Sequence, residues 1–232
     1  MCVCCKRISK TAGGEGILCE ECRQTLIEEA TRVCKKCGNP PVSCRCAKIR
    51  FIANLELIMF PYFYDGEVIR RAIYAVKRAN LYYINEFFAK GMYNSLEIND
   101  KMGKIKISGI DYVTYAPRKK DSVRLYGYNH TEQLAKLISK FAGITYMPII
   151  EASRAHDTDQ KTLNRRDRAA NVKDKFVPAK RMGKTNGILK GKSVLIIDDV
   201  VTTGSTLAEC SRVVRELGAK TAAALCAASA NS

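Results

Sequence analysis

The sequence predicts an α/β chain, a doubly wound and mostly parallel sheet preceded by a small N-terminal cysteine-rich zinc ribbon. Three observations predict it. Val194 to Ile197 form a continuous apolar run, as expected of a strand buried on both faces of a parallel sheet. That run leads through two carboxylates, Asp198 and Asp199, into a hydroxyl-rich turn that opens a helix. Nine of the eleven cysteines lie within the first 46 residues, most of them in close pairs. The expected division is a double zinc-ribbon-like head over residues 1–50 and the sheet domain over residues 51–232.

Composition narrows the class. A hydrophobic content of 47% in 232 residues is enough for a real core. No apolar run reaches the roughly 18 residues of a membrane span, and the cysteines begin without a signal-peptide h-region, so a cytoplasmic location is expected. The formal charge of +16, from 39 basic and 23 acidic residues, suggests anionic partners, phosphates or nucleic acid. Arg154 to Lys192 carries 12 Lys/Arg against 4 Asp, half of that excess.

In the head, Cys2–Cys5, Cys19–Cys22 and Cys34–Cys37 are C-x2-C knuckles and Cys44–Cys46 is a tighter C-x-C pair. Two knuckles complete a tetrahedron of thiolates, so eight ligands suggest two structural zinc ions. Cys2, Cys5, Cys19 and Cys22 are assigned to one and Cys34, Cys37, Cys44 and Cys46 to the other; spacing alone also permits an interleaved pairing. Clustered cysteines without a secretion signal favour metal over disulfides.

The elements follow in order. Phe51–Tyr64 reads as one or two strands, with Pro61 inside it. After the Asp65-Gly66 turn, Val68, Ile69, Ala72, Ile73 and Val76 share one helical face, and Lys77 falls near that helix's C-terminus, where a cation suits the dipole. A second helix is expected over about Tyr82–Ser95, then a polar connection over Asn99–Gly109. Asp111–Ala116 reads as a strand running into a basic turn, Pro117-Arg118-Lys119-Lys120. Leu134, Leu137, Ile138 and Phe141 mark the core face of another helix, with Asn129 and Thr131 as candidate N-caps. Ile144–Ile150 offers a strand around Pro148. The polar, cationic stretch after it reads as a hood able to close over an anionic ligand. Gly191-Lys192-Ser193 and Gly183-Lys184-Thr185 have only the tail of a phosphate loop and are read as turns.

The site is expected at Asp198–Thr206. Hydroxyls of Thr202, Thr203, Ser205 and Thr206, the permissive Gly204 and the open N–H groups of a helix N-terminus form a phosphate cradle. Carboxylates for sugar hydroxyls beside amides for a phosphate describe a site for a phosphorylated sugar.

In order and spacing, Val194–Thr206 resembles the thirteen-residue signature of the type I phosphoribosyltransferases. Across the full length the chain resembles the ComF family of competence-associated, phosphoribosyltransferase-like proteins. Gln160, Leu163, Arg165, Arg168, Asn171 and Phe176 stand at that family's hood positions. Gly127, Tyr128, Asn129 and Glu132 match its R-G-[FY]-N-Q-x-E stretch, in which Tyr126 and His130 replace the usual Arg and Gln. The resemblance implies a phosphoribosyltransferase that binds phosphoribosyl pyrophosphate with Mg2+ and has a link to DNA uptake in natural competence. Asp198 and Asp199 would then face the ribose hydroxyls and the charge that develops on the ring. Val200 and Thr202–Thr206 would hold the 5′-phosphate, and Pro117, Arg118 and Lys119 would lie by the pyrophosphate. Gln160, Arg165 and Arg168 would close the site. The alternative is a non-catalytic protein that binds phosphoribosyl pyrophosphate or a nucleotide and contacts single-stranded DNA or the uptake machinery.

Overall fold

The computed structural model describes residues 2–8, 18–44, 46, 54–118, 120–153, 175–182 and 187–230. The run at Val194 is the centre of the sheet: β7 (Ser193–Val201) lies between β8 (Thr221–Ser229) and β3 (Tyr112–Tyr115). Beyond them stand β1 (Leu57–Met59) on β8 and β4 (Thr145–Tyr146) on β3, and β2 (Tyr62–Phe63) continues along β8. Every pairing in this six-stranded sheet is parallel. Pro61 separates β1 from β2, because its ring nitrogen cannot donate to the ladder.

Strand alternation sorts the core into two layers. Leu195 and Ile197 pack with α3 (Tyr82–Lys101) and α5 (His130–Ala142) on one face. Val194 and Ile196 pack with α6 (Ser205–Glu216) on the other. In β8 the same alternation runs through Ala223, Leu225 and Ala227 against Ala222, Ala224 and Cys226. Its small side chains let helices approach the sheet from both sides.

Several elements differ from the sequence reading. The helix at Tyr82 continues past Ser95 to Lys101. Its polar end is buried: Asn99 Nδ2 donates to the Ser95 carbonyl at 2.7 Å, inside the helix. Lys120–Tyr126 forms a helix, α4, that a charge-rich turn does not announce. The expected strand over Ile144–Ile150 divides at Met147-Pro148. Its second part is β5 (Ile150–Ala152), which pairs antiparallel with β6 (Phe176–Pro178) in a separate two-stranded sheet. Gly191 lies in a turn, as expected, just ahead of β7, and Lys192 Nζ and the Ser193 amide both donate to the Asp111 carboxylate; Gly183, Lys184 and Thr185 lie outside the described residues.

In the head, α1 (Glu20–Ala30) buries Cys22 and Leu26 in the same apolar cluster as Ile69, Ala72 and Ile73 of α2 (Glu67–Val76). The Glu29 carboxylate accepts from the Val68 and Ile69 amides at 3.2 and 2.8 Å. One helix thus caps the N-terminus of the next, where a negative charge suits the dipole. No described helix is long and apolar enough to cross a membrane.

Candidate functional site

The sequence places Asp198 and Asp199 where β7 ends, but the strand runs on through both to Val201. What ends there is the neighbour. β3 makes its last pairing at Tyr115–Ile197, so from Asp198 onward β7 is paired by β8 alone. The carboxylates lie on a ledge at the carboxyl edge of a parallel sheet, where ligands bind in such folds. Consecutive strand residues point to opposite faces, which sends Asp198 toward α6 and Asp199 toward α5.

On the α6 side, Asp198 and Val200–Leu207 line one pocket. Gly204 is the N-cap of α6 in the left-handed region, at φ 80°, a conformation glycine adopts without strain. The hydroxyls of Thr203 and Ser205 are 2.6 Å apart. The first-turn amides of a helix have no intrahelical partner and attract anions. Asp198 is 9% exposed, and one of its oxygens accepts from the Asp199 amide at 2.8 Å. Burial, and then the Asp199 charge, push its carboxyl up to about 8.

On the α5 side, Asp199 is engaged from two directions. Its Oδ2 meets Lys77 Nζ at 3.0 Å and forms a short hydrogen bond with His130 Nε2. Its Oδ1 accepts from the Val200 amide at 2.6 Å. Burial works against its charge, but the His130 hydrogen bond and the Lys77 ammonium outweigh it and hold the carboxyl well below the usual range. His130 is 1% exposed, and burial keeps its ring neutral to a lower pH than usual. A neutral ring bonded to a carboxylate through Nε2 carries its proton there, which leaves Nδ1 as an acceptor. Among the described residues that Nδ1 has no partner. Thr131 fixes the helix start by donating to the Ala116 carbonyl at 2.9 Å.

The structure brings Asp198, Val200, Thr202, Thr203, Gly204, Ser205 and Thr206 together. Pro117 and Arg118 follow β3 at the same edge. The Arg118 guanidinium donates to the Lys77 carbonyl at 2.8 Å and lies 5.6 Å from the Tyr126 ring centroid. Lys119, Gln160, Arg165 and Arg168 lie outside the described residues. Sequence reasoning missed Lys77 and His130. Lys77 does cap the C-terminus of α2, as read, but no spacing rule links it to a carboxylate far along the chain. His130 had a signal: it departs from the glutamine usual at its position.

The eight head cysteines form the two sequential groups, with all four sulfurs of each within 4.8 Å of one another. Cys5–Cys19 and Cys37–Cys44 sulfurs are 3.6 and 3.8 Å apart. That fits the roughly 3.8 Å edge of a tetrahedron with ~2.3 Å Zn–S bonds, and is far from the ~2.05 Å of a disulfide. The two groups could therefore hold two zinc ions. Their knuckles share one backbone pattern: Cys2 N to Arg7 O and Lys6 N to Cys2 O, against Cys34 N to Asn39 O and Gly38 N to Cys34 O. Cys4 belongs to neither group; it is buried against the Val68 carbonyl, and burial raises its thiol to about 12. Among the described residues no carboxylate cluster offers Mg2+ a site. Asp198 and Asp199 face apart, and Asp199 is already bonded.

Residues 133–232 match the phosphoribosyl transferase domain family. Competence protein F of Haemophilus influenzae is 33% identical over 92 residues, 40% of this chain and 38% of that protein. Competence protein ComFC of Streptococcus pneumoniae is 22% identical over 213 residues, 89% of this chain and 84% of that protein. A ribose-phosphate pyrophosphokinase of Pyrococcus abyssi is 36% identical over 72 residues, 27% of this chain and 25% of that protein. The chain thus spans less than two fifths of the Haemophilus protein. With the parallel sheet, the domain match makes the fold that of the type I phosphoribosyltransferases.

Proposed function

We propose that this chain, whose resemblance to the ComF family is borne out by its competence-protein relatives, binds phosphoribosyl pyrophosphate at the β7–α6 turn and transfers the phosphoribosyl group. One observation carries the reading: a buried carboxyl, Asp198, lines one pocket with the hydroxyl-rich turn Thr202–Thr206 at the N-terminus of α6. The 5′-phosphate sits on the first turn of α6, with Thr203 and Ser205 donating to it. Asp198 hydrogen-bonds a ribose hydroxyl. As the bond from C1 to the leaving oxygen breaks, pyrophosphate departs with the electron pair and the acceptor's lone pair forms the new bond. Asp198, when ionised, favours the positive charge that builds on the ring between those events, while Asp199 faces the α5 side. Mg2+, if it accompanies the diphosphate, would offset the charge of the leaving group; no residue of this chain is assigned to hold it. In the head, Cys2, Cys5, Cys19 and Cys22 would hold one structural zinc ion and Cys34, Cys37, Cys44 and Cys46 a second, each group supplying all four ligands.

The engagement of Asp199 by Lys77 and His130 favours a second reading. A carboxylate with all its oxygens bonded is positioned to hold structure, and the chain is then an accessory protein that binds phosphoribosyl pyrophosphate or a nucleotide without turnover. Single-stranded DNA or the uptake machinery would be its partner, met through the basic surface. Calorimetric titration with phosphoribosyl pyrophosphate, with and without Mg2+, tests binding; a pyrophosphate-release screen over bases and amines tests transfer. Saturation without release supports the second reading. If Asp198→Asn and Ser205→Ala both left the affinity unchanged, the site assignment would be wrong.

A further inference from the structure

We propose that a second cavity, between the head and α2, binds a nucleoside monophosphate or an aromatic anion built like one. The cavity has a volume of about 730 Å³, within the range of small-molecule sites. Four cations line it, Lys6, Arg70, Arg71 and Arg78, and no carboxylate does. Arg71 is committed to the structure: it donates to the Cys4 carbonyl at 3.3 Å and to Glu67 at 2.6 Å. Among the described residues, Lys6, Arg70 and Arg78 have no ion pair. Cys5 of the first cysteine group also lines the cavity, and a four-thiolate zinc site there would be negative, but the three cations without an ion pair exceed it, and an anion offsets the remainder.

The ligand must also be flat. Tyr64 and Tyr74 line the same cavity, Tyr74 is 54% exposed, and the Arg78 guanidinium lies 4.4 Å from the Tyr74 ring centroid. The guanidinium lies over one face of that ring, so a flat group stacks on the other face or on the guanidinium itself, with a cation adjoining, which suits a ring carrying a phosphate.

Lys6 adds an independent observation. In the second knuckle the equivalent position is Gly38, at φ 68°; in the first it is Lys6, at φ 63°. A left-handed conformation costs any side-chain-bearing residue stability that glycine keeps. The chain accepts that cost where the side chain reaches the cavity. Strain retained at one of two otherwise matching turns points to a task for the side chain.

The cavity is separate from the β7–α6 cradle, and this inference does not depend on the phosphoribosyl reading. The turn at residues 77–79 divides them. Lys77 reaches Asp199 on one side, while Arg78 and Ala79 line the cavity on the other.

The test is calorimetric titration of the zinc-loaded full chain with adenosine, uridine, guanosine and cytidine 5′-monophosphates, and with adenosine and inorganic phosphate alone. At least one monophosphate should saturate, with adenosine and phosphate each about tenfold weaker or more. Tyr74→Ala and Arg78→Ala should each weaken it by about tenfold, the loss expected for one stacking contact. Lys6→Gly should weaken it while raising the melting temperature of the full chain, a pair of signs that a purely structural lysine would not give. Ser205→Ala should leave it unchanged. The proposal is overturned if no monophosphate saturates below about 1 mM, if Tyr74→Ala and Arg78→Ala change nothing, or if Ser205→Ala abolishes binding, which would put the nucleotide in the cradle. It is equally overturned if a short oligonucleotide binds and no monophosphate does.

Discussion

Asp198 and Asp199 are neighbours in sequence with opposite electrostatics, because strand alternation gives them different surroundings. Asp198, buried near Cys210 and Cys226, titrates at about 8. An acid whose folded pKa lies above its unfolded value of about 3.9 binds its proton more tightly when folded, so it contributes fully below that value and loses the contribution as pH rises through the folded pKa. Asp199 has the opposite sign: its contribution is present above about pH 4 and disappears as pH falls toward its depressed pKa. The Asp198 contribution to the melting temperature should therefore fall between about pH 4 and pH 8, and Asp198→Asn should flatten that fall. Parallel curves for the two proteins would show that Asp198 is ionised in the native state. Lys77→Met should cost about 2 kcal/mol in urea denaturation, as expected for a charged hydrogen bond lost from a mostly buried partner. His130→Gln, which retains an N–H donor, should cost less. The Asp pair was legible in the sequence; the partners that separate their behaviour were not, since they arrive from α2 and α5 by tertiary contact.

Helix α2 links the head to the site: Glu29 caps its N-terminus and Lys77 leaves its C-terminus for Asp199. Glu29→Gln should lower stability by about 1 kcal/mol, the usual size of a cap, measured by chemical denaturation. Helix α3 depends on a close approach. A Cβ at Gly91 would lie 1.9 Å from the buried Tyr62 hydroxyl, whose ring stacks on Phe87 at 5.9 Å. Gly91→Ala should therefore destabilise by about 1–3 kcal/mol despite alanine's better helix propensity, as overpacking does. The apolar period announced α2 and α5. It did not announce the end of α3, where polar Asn99 is buried, or β8, which the reading left unassigned after Gly218. An alanine-rich strand contradicts alanine's local preference, and its place between β7 and β1 overrides that preference.

At the scale of the whole molecule, the head and the sheet share cores. Cys2, Cys4 and Cys22 pack in the cluster of α2 and α3, and Cys34 and Cys44 in that of Phe60 and Phe63. Metal analysis should find about two zinc per chain. Chelation should speed amide exchange at Val68 and Ile69, which rest on Glu29, while leaving the Leu195–Ile197 amides protected. One zinc per chain, or exchange that rises uniformly, would contradict this arrangement. The sequence by itself determined the buried strand, the hydroxyl turn, the sequence-adjacent cysteine knuckles and the phosphoribosyltransferase-like fold. Each of these is local: a run, a pair or a spacing within a few residues. The tertiary structure decided the rest: which knuckles face one another, that Asp199 is held by Lys77 and His130, and that cations from the head and α2 converge on one cavity. Those facts depend on which segments meet in space, and a contact between distant segments leaves no periodicity in the chain.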